Sequence, residues 1–237
     1  KNAHFLLNRQ FKEDGGLYRN YKNGKSTIDA YLEDYATLID AYLSLYQVTL
    51  DENWLQTAKQ LTDHCFDHFY DDRTKMFFFT SNNSRDLIIR KIETEDNVIP
   101  SSNAIMANNL FLLGHYYYNA KYKQTAATML NNVKDEALSY GGSSAKWLSL
   151  YANYLGDFYE IAVSGAEAKQ RALEISKHFI PNKLVAGSNR ENQLPLLQLK
   201  YIPGKTIIYT CIDGACKLPV ESSEAALKQV ETKLTRP

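Results

Sequence analysis

Asp29-Ala-Tyr-Leu-Glu-Asp-Tyr-Ala-Thr-Leu-Ile-Asp-Ala-Tyr-Leu-Ser-Leu-Tyr-Gln-Val48 decides the fold class. Two apolar rows run along it: Tyr31, Tyr35, Leu38, Tyr42 and Leu45, and beside them Leu32, Ala36, Ile39, Leu43 and Tyr46. Both advance by three or four residues, the period of an α-helix. The spacing therefore predicts a helix wrapped by neighbours on most of its circumference. After a turn at Leu50–Asp51, residues 52–69 place Leu55, Ala58, Leu61, Cys65 and Phe69 on one stripe. Gln56, Lys59, Gln60, Asp63 and Asp67 take the other side, as on a surface helix.

The couplet returns. Residues 102–119 are broadly apolar (Ile105, Met106, Leu110, Phe111, Leu113, Tyr117), and residues 122–139 are one-sided (Ala126, Met129, Leu130, Val133, Ala137). A helix, a Phe, an acidic turn and an aromatic exit recur at Phe11–Tyr18 and Phe69–Phe77, a spacing of roughly 60 residues. A further helix over 146–155 carries Trp147, Leu150, Tyr151 and Tyr154, and residues 1–11 read as the outgoing helix of a hairpin. Buried and exposed helices in alternation predict a mainly α fold of helical hairpins, a two-layer toroid or solenoid.

The pattern changes after Gly156. Residues 160–165, 183–187 and 206–211 read as strands, with an amphipathic helix over 166–178. Strand–helix–strand is a βαβ signature, so a small α/β appendage is expected. Residues 194–203, with Pro195 and Pro203, read as a loop, and Ser222–Val230 as a capped closing helix. The expected division is a helical portion over 1–157 and an appendage over 158–237 packed on the same domain.

Composition narrows the function classes. Lys plus Arg number 27, as do Asp plus Glu, so the chain lacks the basic excess of a nucleic-acid or anionic-membrane binder. No run approaches the 18 or so apolar residues of a membrane span. Neither nucleic acid nor membrane is expected as a partner, and a cytoplasmic location is expected. Three cysteines do not make a disulfide-dense secreted scaffold. Seventeen Tyr and ten Phe suit an aromatic-lined cavity or an aromatic core equally well.

Polar residues concentrate at the openings of the two buried helices. Asp29 reads as an N-cap. Glu33 and Asp34 follow in the first turn of an otherwise apolar helix, where two carboxylates in different environments can divide acid and base roles. Asp40 reads as a paired structural carboxylate. The second opening is built from Arg90, Glu93, Asp96 and Asn103 behind a strand-like Leu87–Ile89, with Pro100 and a capping Ser101 or Ser102. Two such openings on one end of a toroid would make a pocket. His64 and His68 have metal-ligand spacing, i and i+4, but no Glu or Cys completes a ligand set with them, so they read as solvated surface histidines; His4, His115 and His178 are isolated. Cys211 and Cys216 lack the partners of a zinc site and read as structural or incidental. Ser164-Gly165-Ala166 is not supported as an anion site by any GxGxxG or Walker pattern. Neither a metal nor a cofactor is expected.

Several stretches together resemble the YyaL / spermatogenesis-associated protein 20 family: Gly16-Leu-Tyr-Arg19, Tyr31-Leu-Glu-Asp-Tyr-Ala36 with Leu45-Tyr46 and Trp54-Leu55, Leu87-Ile-Ile-Arg90, Ile99-Pro-Ser101 with Asn103, Ile161-Ala-Val-Ser-Gly165, and Tyr209-Thr-Cys211 with Cys216. The resemblance implies an (α/α)6 toroid of the six-hairpin glycosidase type, here in part, following a thioredoxin-like domain that would lie outside this chain. The family's Asp-Gly-Ala-Ile-Pro-Ser-Gly-Asn stretch stands here as Asp96-Asn-Val-Ile-Pro-Ser-Ser-Asn103, with two glycines replaced.

By analogy with related toroids, the expected function is a carbohydrate-active or carbohydrate-binding domain, hydrolase-like, with a sugar or glycan as ligand. Asp34, Glu33 and Asp96 are the acid/base candidates, and Tyr35, Arg90, Asn103, Tyr31 and Tyr18 the substrate-binding ones. Residues 33 and 34 point about 100° apart on a helix, so Asp34 with Asp96 is the expected couple. An epimerase is disfavoured because no histidine falls near the polar loops. The competing expectation is a non-catalytic scaffold that docks the thioredoxin-like domain of the full-length chain or another protein.

Overall fold

The computed structural model of the chain describes residues 1–84 and 89–230. Its elements run α1 (Asn2–Arg9), α2 (Leu32–Thr49), α3 (Glu52–His68), β1 (Tyr70–Asp71), β2 (Met76–Phe77), α4 (Ser102–Tyr116), α5 (Ala120–Ser139), α6 (Ala145–Tyr154), β3 (Tyr159–Ser164), α7 (Ala168–Ser176), β4 (Lys183–Ser188), β5 (Ile207–Ile212), β6 (Ala215–Cys216) and α8 (Ser223–Gln229). The fold is mainly α with a small mixed sheet, as the periodicity predicts. Leu87 and Ile88, read from the sequence as strand-like, lie outside the described residues, as do residues 231–237 of the expected appendage. Among the described residues no helix is long and apolar enough to cross a membrane.

Two compact units make up the chain. The first contains Lys1–Ser44, Glu52–Phe111 and Lys121–Tyr151; the second contains Leu45–Asp51, Leu112–Ala120 and the chain from Ala152 onward.

In the first unit the sequence rows become packing. Leu32, Ala36, Ile39 and Leu43 of α2 are fully enclosed, while Thr37, Ala41 and Ser44 leave one exposed stripe. In α4 every residue is buried except the half-buried Asn108 and Leu112. By contrast α3 and α5 bury one face each. Ring contacts give the direction of packing: Tyr35 near the start of α2 stacks on His64 near the end of α3, and Tyr42 further along stacks on Trp54 at the start of α3. The two helices are therefore antiparallel. Phe66 stacks on Tyr122, whose hydroxyl donates to Asp63, joining α3 to α5. Asn109 Nδ2 donates to Ala36 O at 2.7 Å, joining α4 to α2.

Helix entrances follow capping chemistry, with one correction. Ser101 Oγ accepts from Ala104 N at 3.2 Å and caps α4 as expected. Asp29 does not cap α2. Its backbone is held in a bridge to Tyr18 and its carboxylate accepts from Lys12 Nζ at 3.0 Å, so the helix begins three residues later. Asp34 instead reaches back to the N–H of Tyr31 at 2.9 Å, which is half of a capping box.

The second unit holds a four-stranded sheet in the order β4-β3-β5-β6. β3 pairs parallel with β4 and antiparallel with β5, with α7 crossing between the parallel strands. That is the βαβ element read from the sequence. All six residues of β3 are buried, as a central strand covered on both faces requires. Gly165 ends it with φ +133°, and a Cβ there would sit 2.2 Å from Lys205 O, so only glycine fits the strand-to-helix turn. Ser222 caps α8 through Ala225 N. Between β5 and β6, Asp213 (φ 46°) and Gly214 (φ 80°) form a two-residue turn with both central residues left-handed, the geometry that matches strand twist. Cys211 and Cys216, paired across that hairpin, are joined in a disulfide, and Cys65 is buried and free.

Candidate functional site

The opening of α2 gathers the densest polar group of the first unit. Arg19 reaches it from the Gly16–Arg19 segment, donating from Nη2 to Glu33 Oε1 at 3.1 Å, with Nε 3.8 Å from Asp34 Oδ2. The same guanidinium lies over the Tyr31 ring, 4.7 Å from its centroid, and Tyr31 in turn stacks on Phe79. Burial raises the Asp34 pKa, and the hydrogen bond from Tyr31 N–H and the charge of Arg19 oppose that rise without cancelling it. Asp34, Arg19, Tyr18 and Thr37 line a cavity of about 290 Å³ whose apolar walls include Leu6, Leu17 and Leu38. That volume lies at the small end of ligand pockets. One turn further on, Tyr35 is buried; its hydroxyl accepts from Leu17 N at 2.8 Å and lies 3.3 Å from His64 Nε2.

His64 and His68 are not the solvated pair that their helix position suggests. Both are half-buried and their ring centroids are 4.3 Å apart. Burial first and the neighbouring His68 second hold the His64 pKa down.

The eight residues singled out from the sequence form two groups. Tyr18, Tyr31, Glu33, Asp34 and Tyr35 meet at the opening of α2. Asp96, Arg90 and Asn103 lie about the entrance of α4 and the segments leading to it. There Asp96 accepts from Ser101 N through Oδ1 and from Lys146 N through Oδ2, each at 2.9 Å. Asn103 is fully buried and bonds both the N–H and the C=O of Phe77, as well as Glu93 O. Arg90 donates to Thr80 O and His68 O and stacks on Phe78. Asp40 has Lys146 Nζ 3.8 Å away.

Arg19 and Thr37 were not singled out from the sequence, although Arg19 stands inside the quoted Gly16–Arg19 stretch. In the second unit His115, isolated in sequence, is paired with Glu160.

Comparison with known proteins gives the chain a kinship. It is 24% identical to mouse spermatogenesis-associated protein 20 over 239 residues, 92% of the chain. The human protein of that name is 24% identical over 80% of the chain, and an uncharacterised Caenorhabditis elegans protein 22% over 87%. The chain is related to the spermatogenesis-associated protein 20 family. It spans 30% of the length of the mouse protein and 26% of the human one. No protein-family profile matches the chain. The sequence resemblance to the family is thereby supported over nearly the whole chain.

Proposed function

We propose that the helical unit is part of an (α/α)6 toroid of the glycoside-hydrolase-like type, and that the cavity at the opening of α2 binds a monosaccharide-sized part of a sugar or glycan. The convergence of Arg19 and Asp34 on one small cavity carries this reading. A charged donor beside a carboxylate suits vicinal hydroxyls, which donate and accept at once. Tyr18 and the leucines supply the apolar contact that the C–H face of a sugar ring needs.

Binding fits these residues better than hydrolysis. Two-carboxylate hydrolysis places acid and base on opposite sides of the scissile bond. Here Asp34 alone of the three candidate carboxylates lines the cavity, while Glu33 is turned to Arg19 and Asp96 is bound through both oxygens by backbone N–H groups. Asp34, whose pKa burial raises above the ordinary carboxylate value, is the carboxyl group that faces the cavity.

The test is thermal stability against a panel of mono- and disaccharides and N-acyl sugars, for the parent and Asp34→Asn. A sugar that raises the melting temperature of the parent and not of the variant supports the reading. Failure of every sugar would sink it for this chain and leave the scaffold reading. That second reading is favoured by Val98 and Ile99, which stand exposed on the loop before α4 as an apolar contact for a thioredoxin-like domain or another protein.

A further inference from the structure

Glu160 occupies the central strand of the sheet, between Leu184 of β4 and Cys211 of β5, and its side chain has no exposed surface. A bare carboxylate in such a place costs several kcal/mol unless its oxygens are partnered. The fold partners both. Oε1 lies 2.6 Å from Nδ1 of the buried His115 near the end of α4. Oε2 accepts from Gly214 N at 2.9 Å and from Tyr118 Oη at 3.3 Å. The turn that delivers the Gly214 N–H delivers Asp213 as well, and the ligand atoms of His115, Glu160 and Asp213 all lie within 4.8 Å of one another.

One imidazole and two carboxylates from three separate elements form the donor set of a three-ligand metal site with a position left for water. The nitrogen donor suits zinc and its first-row neighbours better than magnesium or calcium. Gly214 N–H and Tyr118 hold Oε2 as outer partners do at such sites, fixing the carboxylate so that Oε1 faces the imidazole. Asp213 is exposed and gives the ion a way in.

We propose that His115, Glu160 and Asp213 bind a divalent first-row transition metal, with Zn²⁺ the best match. The site is independent of the sugar cavity, being built wholly within the second unit.

Titration of the 237-residue chain with Zn²⁺ by calorimetry, and with Co²⁺ by visible absorption, tests the proposal. Asp213→Asn is the informative variant. Asn tolerates the left-handed turn as Asp does, so the hairpin and the metal-free melting temperature are retained. The expected result is one ion per chain, with affinity at least about tenfold weaker in Asp213→Asn. His68→Ala, which removes the other histidine pair as a source of binding, leaves the affinity unchanged. Absence of binding by the parent, equal binding by Asp213→Asn, or loss of binding in His68→Ala would each overturn it.

Discussion

His115 and Glu160 stand 45 positions apart in the chain and 2.6 Å apart in the fold. One lies near the end of a buried helix and the other in the middle of a sheet, and each is enclosed. Each partners a polar atom of the other that burial would otherwise leave costly. The pair also orients the imidazole ring, since the carboxylate lies against Nδ1.

Glu160→Ala leaves His115 Nδ1, Gly214 N–H and Tyr118 Oη without their shared acceptor. A buried donor left without its acceptor costs about 1–3 kcal/mol. The urea midpoint should fall accordingly at pH 7, with Glu160→Gln intermediate because its amide oxygen still accepts. An unchanged midpoint for the alanine variant would show that the carboxylate does not hold the second unit together.

Tyr35→Phe removes the acceptor of the buried Leu17 N–H while keeping the ring stacked on His64 and edge-on to Phe69. An orphaned buried donor costs about 1–3 kcal/mol. Chemical denaturation measures that loss directly, and a parent-like stability would mean that water replaces the hydroxyl.

Asp34 sets a pH dependence with a definite sign. Its folded pKa is raised above the ordinary 3.8, chiefly by burial, so the folded state holds this proton more tightly than the unfolded one. Stability through this group therefore falls as pH rises from 3.8 through the raised folded value, and then levels. Asp34→Asn lacks the titration. The parent should lose stability relative to the variant across that window, read from parallel denaturation curves between pH 3.5 and 7, a span of roughly three units around the carboxylate range. The opposite slope would show that Arg19 outweighs burial.

Cys216→Ser opens the disulfide across the β5–β6 hairpin, a link of sequence separation 5. Closing so short a loop restrains the unfolded chain by about 2 kcal/mol in the loop-entropy account. The parent in reductant should match the variant in melting temperature, both below the oxidised parent. Identical melting of all three would show that the Asp213-Gly214 turn holds the hairpin alone.

Where the sequence could be read and where it could not divides along interaction range. The rows of α2, the one-sided α3 and α5, the Ser101 and Ser222 caps and the βαβ element all depend on residues three or four apart, or on alternation along a strand. Asp29 was misread as a cap because a bridge to Tyr18 claims its backbone and delays the helix. The Asp213-Gly214 hairpin carries a local signal of its own, two residues suited to positive φ between the two cysteines.

By itself the sequence determined the helix and strand menu, because hydrophobic period and capping are written within a few residues. It also marked Glu33, Asp34 and Tyr31 as a polar opening in an apolar helix. Only the tertiary structure brought Arg19 to that opening, engaged both oxygens of Asp96 with backbone N–H groups, and set Glu160 against His115. All three involve contacts between distant segments, and for Glu160, whose side chain has no exposed surface, burial without a partner would be costly.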